Sequence, residues 1–393
     1  MLKQTVAITA QNLKSLKQRS GNSLVAIAGV AGVVLVFVAV LSMATGFQRT
    51  MASGGDPGNV IALRSAATSE LDSGLSGEQA RIIRDAPGIA QNENGPLASA
   101  ELYVVVSVEK KGVDTSFNVP LRGVEPQVRA VRPHVDIVEG RWFEPGRQEL
   151  IVGEASLNQF SGLNVGQTMR FGEQVWDVVG VFSANGGIHE SELWADVRVL
   201  QGAYRRGNGV SSVSLKLADP AGYQALVDHL NQDPRLSLKL ATEPDYYAEQ
   251  SGPLTTFIKG AGYAVAILMA LGAVFGAINT MYTAVSDRSR EIATLRALGF
   301  ANFPIVVSVM VEALLLAAIG GLIGGLLAWA LFNGFTVSTL NFSSFSQVVF
   351  GFAVTPQLLT QGVILALVIG FFGSLLPAIR AARLPVSTAL RES

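Results

Sequence analysis

The sequence predicts a membrane protein with four spanning α-helices and one large α+β extracytoplasmic domain. Composition is the first observation behind this fold class: 49% of the 393 residues are hydrophobic, only 15% are charged, and the mean hydropathy is +0.38. In soluble chains, roughly a quarter of all residues are charged. The second observation is that the apolar excess is concentrated in a few long segments on either side of a more polar stretch at 48–255.

Three long segments contain almost no charge. No residue between Arg19 and Arg49 or between Lys259 and Asp287 is charged, and Glu312 is the only ionisable residue at 297–379. A spanning helix needs roughly 20 mostly apolar residues, because lipid offers no partner to an unpaired backbone amide. The first two segments each hold one span, and the third holds two. The first span is too long for a signal peptide, and no typical cleavage site follows it.

The resulting organisation has nine segments. They are an N-terminal amphipathic cytoplasmic helix at 1–21, spans at 22–47, 256–285, 302–334 and 357–379, an outer domain at 48–255, a cytoplasmic helix at 286–301, an extracytoplasmic loop at 335–356 and a cytoplasmic tail at 380–393.

Charges that flank the spans predict the orientation. The segments expected inside carry ten basic residues and only three acidic ones. Because cytoplasmic loops of membrane proteins carry an excess of Lys and Arg, both termini are expected in the cytoplasm. The basic residues are Lys3, Lys14, Lys17, Arg19, Arg288, Arg290, Arg296, Arg380, Arg383 and Arg391.

The outer domain shows two strand–helix–strand patterns, which indicate a ferredoxin-like lobe around a shared sheet. Ser76 and Gln79 form a capping box at the start of the first helix. Between the two patterns, residues 117–200 alternate apolar and polar residues between glycines, which indicates an inserted β-rich lobe. The predicted elements are strands at 59–65, 101–109, 211–217 and 236–240 and helices at 77–86 and 219–231.

The outer domain has no pattern typical of an enzyme or a metal site. The sequence contains no cysteine and neither a G-x-S-x-G nor an H-E-x-x-H motif. His189-Glu190-Ser191-Glu192 resembles a metal site only weakly, and we expect a solvated loop there. From Arg49 to Lys259 the chain carries 19 Lys and Arg against 26 Asp and Glu. This acidic surplus argues against binding of nucleic acid.

The segment after the second span predicts a short amphipathic helix. Ser286 can cap its start, and Gly299 can end it in a left-handed conformation. Ile292, Leu295 and Leu298 recur at helical spacing with charged residues between them. Such a helix suits docking on a soluble partner, but it equally suits a helix held only by lipid headgroups.

This segment resembles the MacB-like and FtsX-like permeases of ABC exporters. The motif R-x-R-E-I-A-T-L-R-A-L-G-F at 288–300 is similar to the sequence that follows the second span in that family. The segment Pro377–Arg391 resembles the family's C-terminal ending. The phrases GRWF, ELIVG, GLNVGQ and WDVVGVF resemble its periplasmic domain, so the resemblance covers essentially the whole chain.

The resemblance implies the permease subunit of a mechanotransmission (type VII) exporter in a bacterial inner membrane, with the outer domain in the periplasm. ATP hydrolysis on an ABC ATPase subunit would drive movements of that domain. The sequence contains no G-x-x-x-x-G-K-[ST], so we expect ATP and Mg²⁺ on a separate chain and no cofactor on this one. Further expected partners are a second permease copy or paralogue, a periplasmic adaptor, an outer-membrane channel and the lipid membrane.

The resemblance also implies an ATPase-coupling site in the cytoplasmic helix. We expect Leu295 and Leu298 to insert into a groove on the ATPase, while Arg288, Glu291 and Arg296 fix the register of the helix. The complete set of candidates is Arg288, Arg290, Glu291, Ile292, Leu295, Arg296, Leu298 and Gly299.

Two features of the spans complete the expectations. Glu312 is an intramembrane acid, for which pairing with water or a cytoplasmic arginine is favoured over proton coupling. Glycines recur four residues apart at 272/276, 320/324 and 321/325, a spacing that allows close helix contact within one chain or between chains.

One alternative function stays open. An FtsX-like regulator would not transport anything but would mechanically activate a cell-wall hydrolase. The size of the predicted outer domain favours the exporter, because FtsX-type regulators generally have a smaller one. No sequence motif identifies the exported substrate, for which a lipid, a lipoprotein, a peptide and a drug all remain open.

Overall fold

The structure is a computed structural model that describes residues 20–383, and the chain there forms ten α-helices and fourteen strands. The predicted N-terminal amphipathic helix and the last ten residues of the motif-bearing tail lie outside the described residues. The helices are α1 (Ser20–Ser53), α2 (Gly77–Arg84), α3 (Val128–Val131), α4 (Glu154–Gln159), α5 (Val197–Ala203), α6 (Tyr223–Asn231), α7 (Glu243–Asp287), α8 (Ser289–Ala297), α9 (Asn302–Phe332) and α10 (Pro356–Arg383). The strands are β1 (Asn59–Arg64), β2 (Gln91–Asn92), β3 (Gly95–Pro96), β4 (Ala98–Glu109), β5 (Ser116–Val124), β6 (Asp136–Gly140), β7 (Glu149–Gly153), β8 (Thr168–Phe171), β9 (Gln174–Ser183), β10 (Leu193–Asp196), β11 (Ser212–Lys216), β12 (Leu238–Thr242), β13 (Thr336–Asn341) and β14 (Ser346–Gly351).

Four helices, α1, α7, α9 and α10, are long and apolar enough to cross a membrane. They contain the four predicted spans, and α9 and α10 begin and end within a few residues of the prediction. Helix α7 is longer than predicted: it has 45 residues and begins at Glu243 rather than 256. Its first turns are polar, so the hydropathy of the sequence marked only its apolar part.

The described residues fall into two units, of which one contains the spans: 20–45, 257–335 and 352–383. Its core joins Val34 and Val38 of α1 to Leu358 and Ala366 of α10. Glycines allow the backbones to approach, since a Cβ on Gly324 would lie 2.4 Å from the Ala31 carbonyl oxygen.

The glycine pairs of α9 therefore pack within the chain. Gly320 and Gly324 face α1, whereas Gly321 and Gly325 face α10. By contrast, a Cβ on Gly272 or Gly276 of α7 would meet no atom within 4 Å.

The second unit, 46–256 with 336–351, is built on a ten-stranded sheet. The sheet order is β12-β1-β11-β4-β5-β10-β7-β9-β6, with β8 paired to β9. Within it, β1-α2-β4 and β11-α6-β12 are the two predicted strand–helix–strand patterns. The capping box of α2 is present as predicted, with the Gln79 N–H donating to Ser76 Oγ at 3.2 Å. Val60, Val213 and Leu226 lie in the main core of this unit.

The predicted β-rich insertion is not separate from the first lobe, because both share strand β4. The first four residues of β4 pair with β11, and the remaining eight pair with β5. One uninterrupted strand of 12 residues thus serves both parts of the sheet.

The predicted loop at 335–356 also contains structure that the sequence did not indicate. Strands β13 and β14 form a hairpin in which Asn341 pairs with Ser346. The hairpin belongs to the outer unit: Ser346 Oγ lies 3.0 Å from the Tyr103 hydroxyl, and the Val349 N–H donates to Ser191 Oγ at 2.9 Å. Val349 is part of the main core.

Candidate coupling site

A break at Arg288 separates α8 from the end of α7. Arg288 has φ −106° and ψ 9°, and its side chain makes no capping hydrogen bond. The predicted cap at Ser286 is wrong, because the hydrophobic span continues as α7 through Asp287 and takes Ser286 into its last turn. Helix α8 is therefore a separate short element directly after the span.

Helix α8 ends in a Schellman motif at the predicted glycine. Gly299 has φ +90°, the Phe300 N–H donates to the Leu295 carbonyl at 3.1 Å, and the Gly299 N–H donates to the Arg296 carbonyl at 3.0 Å. Leu295 and Phe300 pack against the same apolar cluster. The left-handed backbone conformation costs an amino acid with a Cβ roughly 1–2 kcal/mol, so glycine suits this position.

Arg288, one of the candidate coupling residues, faces the interior of its own chain. Its side chain is buried and forms a bidentate ion pair with Glu312: Nη1 lies 2.7 Å from Oε2, and Nη2 lies 2.9 Å from Oε1. Glu312 thus pairs with an arginine of the segment expected in the cytoplasm, one of the two arrangements predicted from the sequence. The coupling role of Arg288 stays a prediction.

The two faces of α8 differ. Ile292 is buried and Leu295 is partly buried in a cluster with Val285, Ile305 and Val309. These two side chains of α8 therefore hold the helix against α7 and α9.

The other candidates are not members of this cluster, and of them Glu291 borders the small cavity that cluster residues line. Arg290 and Glu291 are exposed, Arg296 is half-buried, and Leu298 is 72% exposed. Of the two leucines expected to insert into the ATPase, only Leu298 projects from the helix surface. We call Arg290, Glu291 and Leu298 the outward face of α8.

The outer unit contains a buried ion network that sequence reasoning missed. Arg122 on β5 contacts three carboxylates: Glu70 at 2.6 Å, Glu101 at 2.7 Å and Glu192 at 2.8 Å. The sequence did carry a signal for this network, namely a charged residue within each of two apolar strand sequences: Glu101 in ASAELY and Arg122 in VPLRGV.

A second arginine extends the network to α7. Arg132 lies 2.6 Å from Glu101 and 3.2 Å from Glu243, the first residue of α7. Glu243 also accepts hydrogen bonds from the Asp56 N–H and the Asn59 side chain, each at 3.1 Å. The start of α7 is thereby joined to the sheet by buried charges.

The segment His189-Glu190-Ser191-Glu192 is not the solvated loop that we expected. All four residues are buried, and Glu192 accepts hydrogen bonds from Arg122 and from Trp194 Nε1 at 2.6 Å. The neighbouring Arg122 makes burial of this carboxylate tolerable. Across residues 20–383, no three His, Asp or Glu side chains are grouped as ligands of a metal ion.

The arginines keep two carboxylates of the network ionised. Burial alone raises the pKa of Glu101, but the charges of Arg132 and Arg122 outweigh it and hold the pKa below its usual value. Burial likewise raises the pKa of Glu192, and Arg122 and His189 together hold that pKa well below its usual value.

Comparison with known families matches both units. The profile described as "MacB-like periplasmic core domain" matches residues 23–233, more than half of the chain, and "FtsX-like permease C-terminal" matches residues 263–386. The chain belongs to the MacB/FtsX-like permeases. It is accordingly a membrane protein with an extracytoplasmic domain, and α8 lies inside the FtsX-like match.

Relatives of this MacB/FtsX-like permease carry export and permease names. "Macrolide export ATP-binding/permease protein MacB 1/2" of Paracoccus denitrificans is 26% identical over 79% of this chain, which spans only 47% of that relative's length. An "Uncharacterized ABC transporter permease" of Methanocaldococcus jannaschii is 22% identical over 79% of this chain and 80% of its own. The periplasmic region of MacB from Actinobacillus actinomycetemcomitans, a crystal structure, matches 49% of this permease and 92% of its own chain with 15% identity and a TM-score of 0.38.

Proposed function

We propose that this permease is the transmembrane subunit of an ABC exporter. It couples ATP hydrolysis on a separate ATPase chain, which holds ATP and Mg²⁺, to motion of its outer domain. The cargo is a lipid, a lipoprotein, a peptide or a drug. In this proposal the chain lies in the bacterial inner membrane with both termini in the cytoplasm, and it works as a pair with a second permease copy or paralogue. A periplasmic adaptor and an outer-membrane channel complete the pathway.

The outward face of α8 carries the proposal. Leu298 is an exposed apolar side chain at the end of a short helix whose first turn exposes the charged Arg290 and Glu291, while Ile292 is buried in the permease core. An exposed apolar side chain on a helix that also presents charged residues is a candidate anchor for a protein partner. Because α8 is fixed by its own packing, a force applied to this face moves the ends of α7 and α9 with it.

Helix α7 supplies the route to the outer domain. It is continuous from Glu243 to Asp287, so a single helix begins in the buried ion network and ends beside Arg288. In this mechanism, nucleotide-driven movement of the ATPase displaces α8, and α7 carries the displacement to the sheet through Glu243 and Arg132. The permease itself performs no bond chemistry.

The test is Leu298→Asp, a charge placed on the outward face. Removing a buried anchor at an interface costs about 2 kcal/mol or more, which corresponds to at least some thirtyfold in affinity. We expect the variant to insert normally but to lose the ATPase from the detergent-purified complex and to lose transport. Leu295→Asp is a poorer test, because Leu295 also packs against the core of its own chain.

Val138→Asp is the matched control, since Val138 is a 57% exposed apolar residue of the outer unit. It should retain both the ATPase and transport. If Leu298→Asp behaves like this control, α8 is held by lipid headgroups, where one changed contact costs only about 1 kcal/mol, and the coupling proposal fails.

A further inference from the structure

The outer unit contains a groove between α2 and α5 that neither the coupling mechanism nor the sequence motifs explain. It has a volume of about 550 Å³, within the usual range of binding pockets. Arg81 and Arg84 lie along the α2 wall, Arg198 and Gln201 along the α5 wall, and Asn208 in a connecting loop. We call this feature the α2–α5 groove.

Both walls of the groove are fixed. On one side, Leu75 next to the capped start of α2 pairs with Val210, and a Cβ on Gly77 would lie 2.8 Å from the Asn208 amide nitrogen. On the other side, Asp196 caps α5 by accepting from the Arg198 N–H at 2.7 Å. A groove with walls of this kind exists before any ligand arrives, so binding to it costs little ordering entropy.

The charges within the groove are not balanced. Two carboxylates also line the groove: Glu125 pairs with Arg84 at 2.5 Å, and Glu78 lies 3.9 Å from Arg235, which is outside the groove. Among residues 20–383, neither Arg81 nor Arg198 has a carboxylate within ion-pairing distance.

The groove lining has three arginines against two glutamates, and this surplus of positive charge occurs in a region, Arg49 to Lys259, where acidic residues outnumber basic ones by 26 to 19. A local cationic groove in an acidic domain favours an anionic ligand at this place and repels it elsewhere.

We propose that the α2–α5 groove binds an acidic, extended segment of an extracytoplasmic protein. Guanidinium groups on both walls suit carboxylates, which they bind with two parallel hydrogen bonds. Gln201 and Asn208 provide amides for a peptide backbone. The apolar part of the lining consists of small side chains, namely Ala80, Ala100, Val197 and Val210, and offers no channel for an acyl chain. The inference deepens the proposed function by assigning a partner chemistry to the outer domain of the exporter.

The experiment measures binding of fluorescently labelled hexaglutamate to the full-length permease in detergent. Arg81→Glu/Arg198→Glu should weaken binding by about tenfold, because two exposed ion pairs each contribute up to about 1 kcal/mol. Both arginines are exposed, so folding should survive, and tryptophan fluorescence checks this. Arg198→Gln, a milder change, should weaken binding by a smaller factor.

Arg147→Glu/Arg170→Glu is the matched control, because it makes the same charge change at two exposed arginines that do not line the groove. This control should bind hexaglutamate as tightly as the unmodified protein does. Hexaglutamine should bind neither to the control nor to the unmodified protein. Equal weakening of hexaglutamate binding in both double variants would overturn the proposal. It would also be overturned if the permease bound phosphatidylglycerol micelles through Arg81 and Arg198 but did not bind hexaglutamate. Association with the ATPase should be unchanged in all of these variants, which separates a failure of this inference from a failure of the coupling mechanism.

Discussion

At the scale of single residues, the pair formed by Arg288 and Glu312 joins the start of α8 to α9. The two residues are 24 positions apart in sequence, and both side chains are buried. Taking two charges out of water costs several kcal/mol for each ion, and the bidentate geometry offsets that cost. The pair is therefore sensitive to loss of one partner and tolerant of loss of both.

The first residue-scale prediction follows from this asymmetry. Glu312→Leu leaves the Arg288 charge buried and should destabilise the permease by about 3–5 kcal/mol. Arg288→Met/Glu312→Leu should recover most of that loss, because no uncompensated charge remains. Thermal unfolding of the purified protein in detergent measures both effects. Arg290→Met, on the outward face, is the control and should change stability by no more than about 0.5 kcal/mol; a Glu312→Leu protein as stable as this control would contradict the expectation.

The sequence indicated one half of this pair. Glu312 stands out because it is the only ionisable residue at 297–379. Its partner could not be identified in the same way, since several arginines follow the second span and their directions depend on where α7 ends. The break at Arg288, two residues after the predicted cap at Ser286, turns this arginine inward.

At the scale of elements, the ion network fixes the start of α7 against β1 and, through Arg132 and Glu101, against β4. Glu101 and Glu192 have lower pKa values in the folded protein than in the unfolded chain. At a pH between the folded and the unfolded pKa of each carboxylate, the unfolded chain therefore binds more protons than the folded protein does. The stability contributed by these carboxylates is complete above about pH 4.5 and is lost as the pH falls below it.

The element-scale prediction is a pH-dependent stability of the outer domain. The unfolding temperature, followed by fluorescence of buried tryptophans such as Trp194, should fall as the pH is lowered from about 4.5 to about 3, by about 2–4 °C for each kcal/mol lost. Glu192→Gln should lower the unfolding temperature at neutral pH and flatten the acid decline. Glu173→Gln, at an exposed side chain, should keep the original profile. An unmodified protein with no acid decline would show that the network adds no stability.

Element boundaries show which physical signals the sequence carries. Hydropathy located the four spans, and the capping residues Ser76 and Gln79 located α2, because both signals are local. The polar first turns of α7 and the β13–β14 hairpin were missed. Their structure depends on contacts with distant residues: Glu243 with Arg132, and Val349 with Ser191. Such partners cannot be identified from one sequence.

At the scale of the whole molecule, α7 differs from the other spans in how little of it the chain covers. Of its most apolar 18-residue stretch, only 11% is buried, against 44–50% of the corresponding stretch in each of the other three spanning helices. Gly272 and Gly276 lie in a shallow apolar groove with Gly29 and Val33 of α1. If the exporter contains two permeases, this groove is the place where a spanning helix of the second copy can approach closely.

The corresponding prediction concerns assembly. Gly272→Leu/Gly276→Leu fills the groove and should weaken pairing of permeases by about tenfold, as expected for a loss of 1–2 kcal/mol of close packing. Light scattering in detergent measures the pairing. Gly260→Leu, on another side of the same helix with open space around it, is the control and should leave pairing unchanged. Pairing that survives in the double variant would exclude this groove as the interface.

The β13–β14 hairpin also determines when the outer domain can finish folding. Residues 46–256 are synthesised first, but the hairpin that contributes Val349 to their core follows only after about 80 further residues, including most of α7 and all of α9. At translation rates of about 5–20 residues per second, this delay is roughly 4–16 s. During that interval the surface that later receives Val349 and Ser346 stays uncovered outside the membrane. Biogenesis of this permease therefore includes a waiting period in which chaperones outside the membrane have access to an unfinished core.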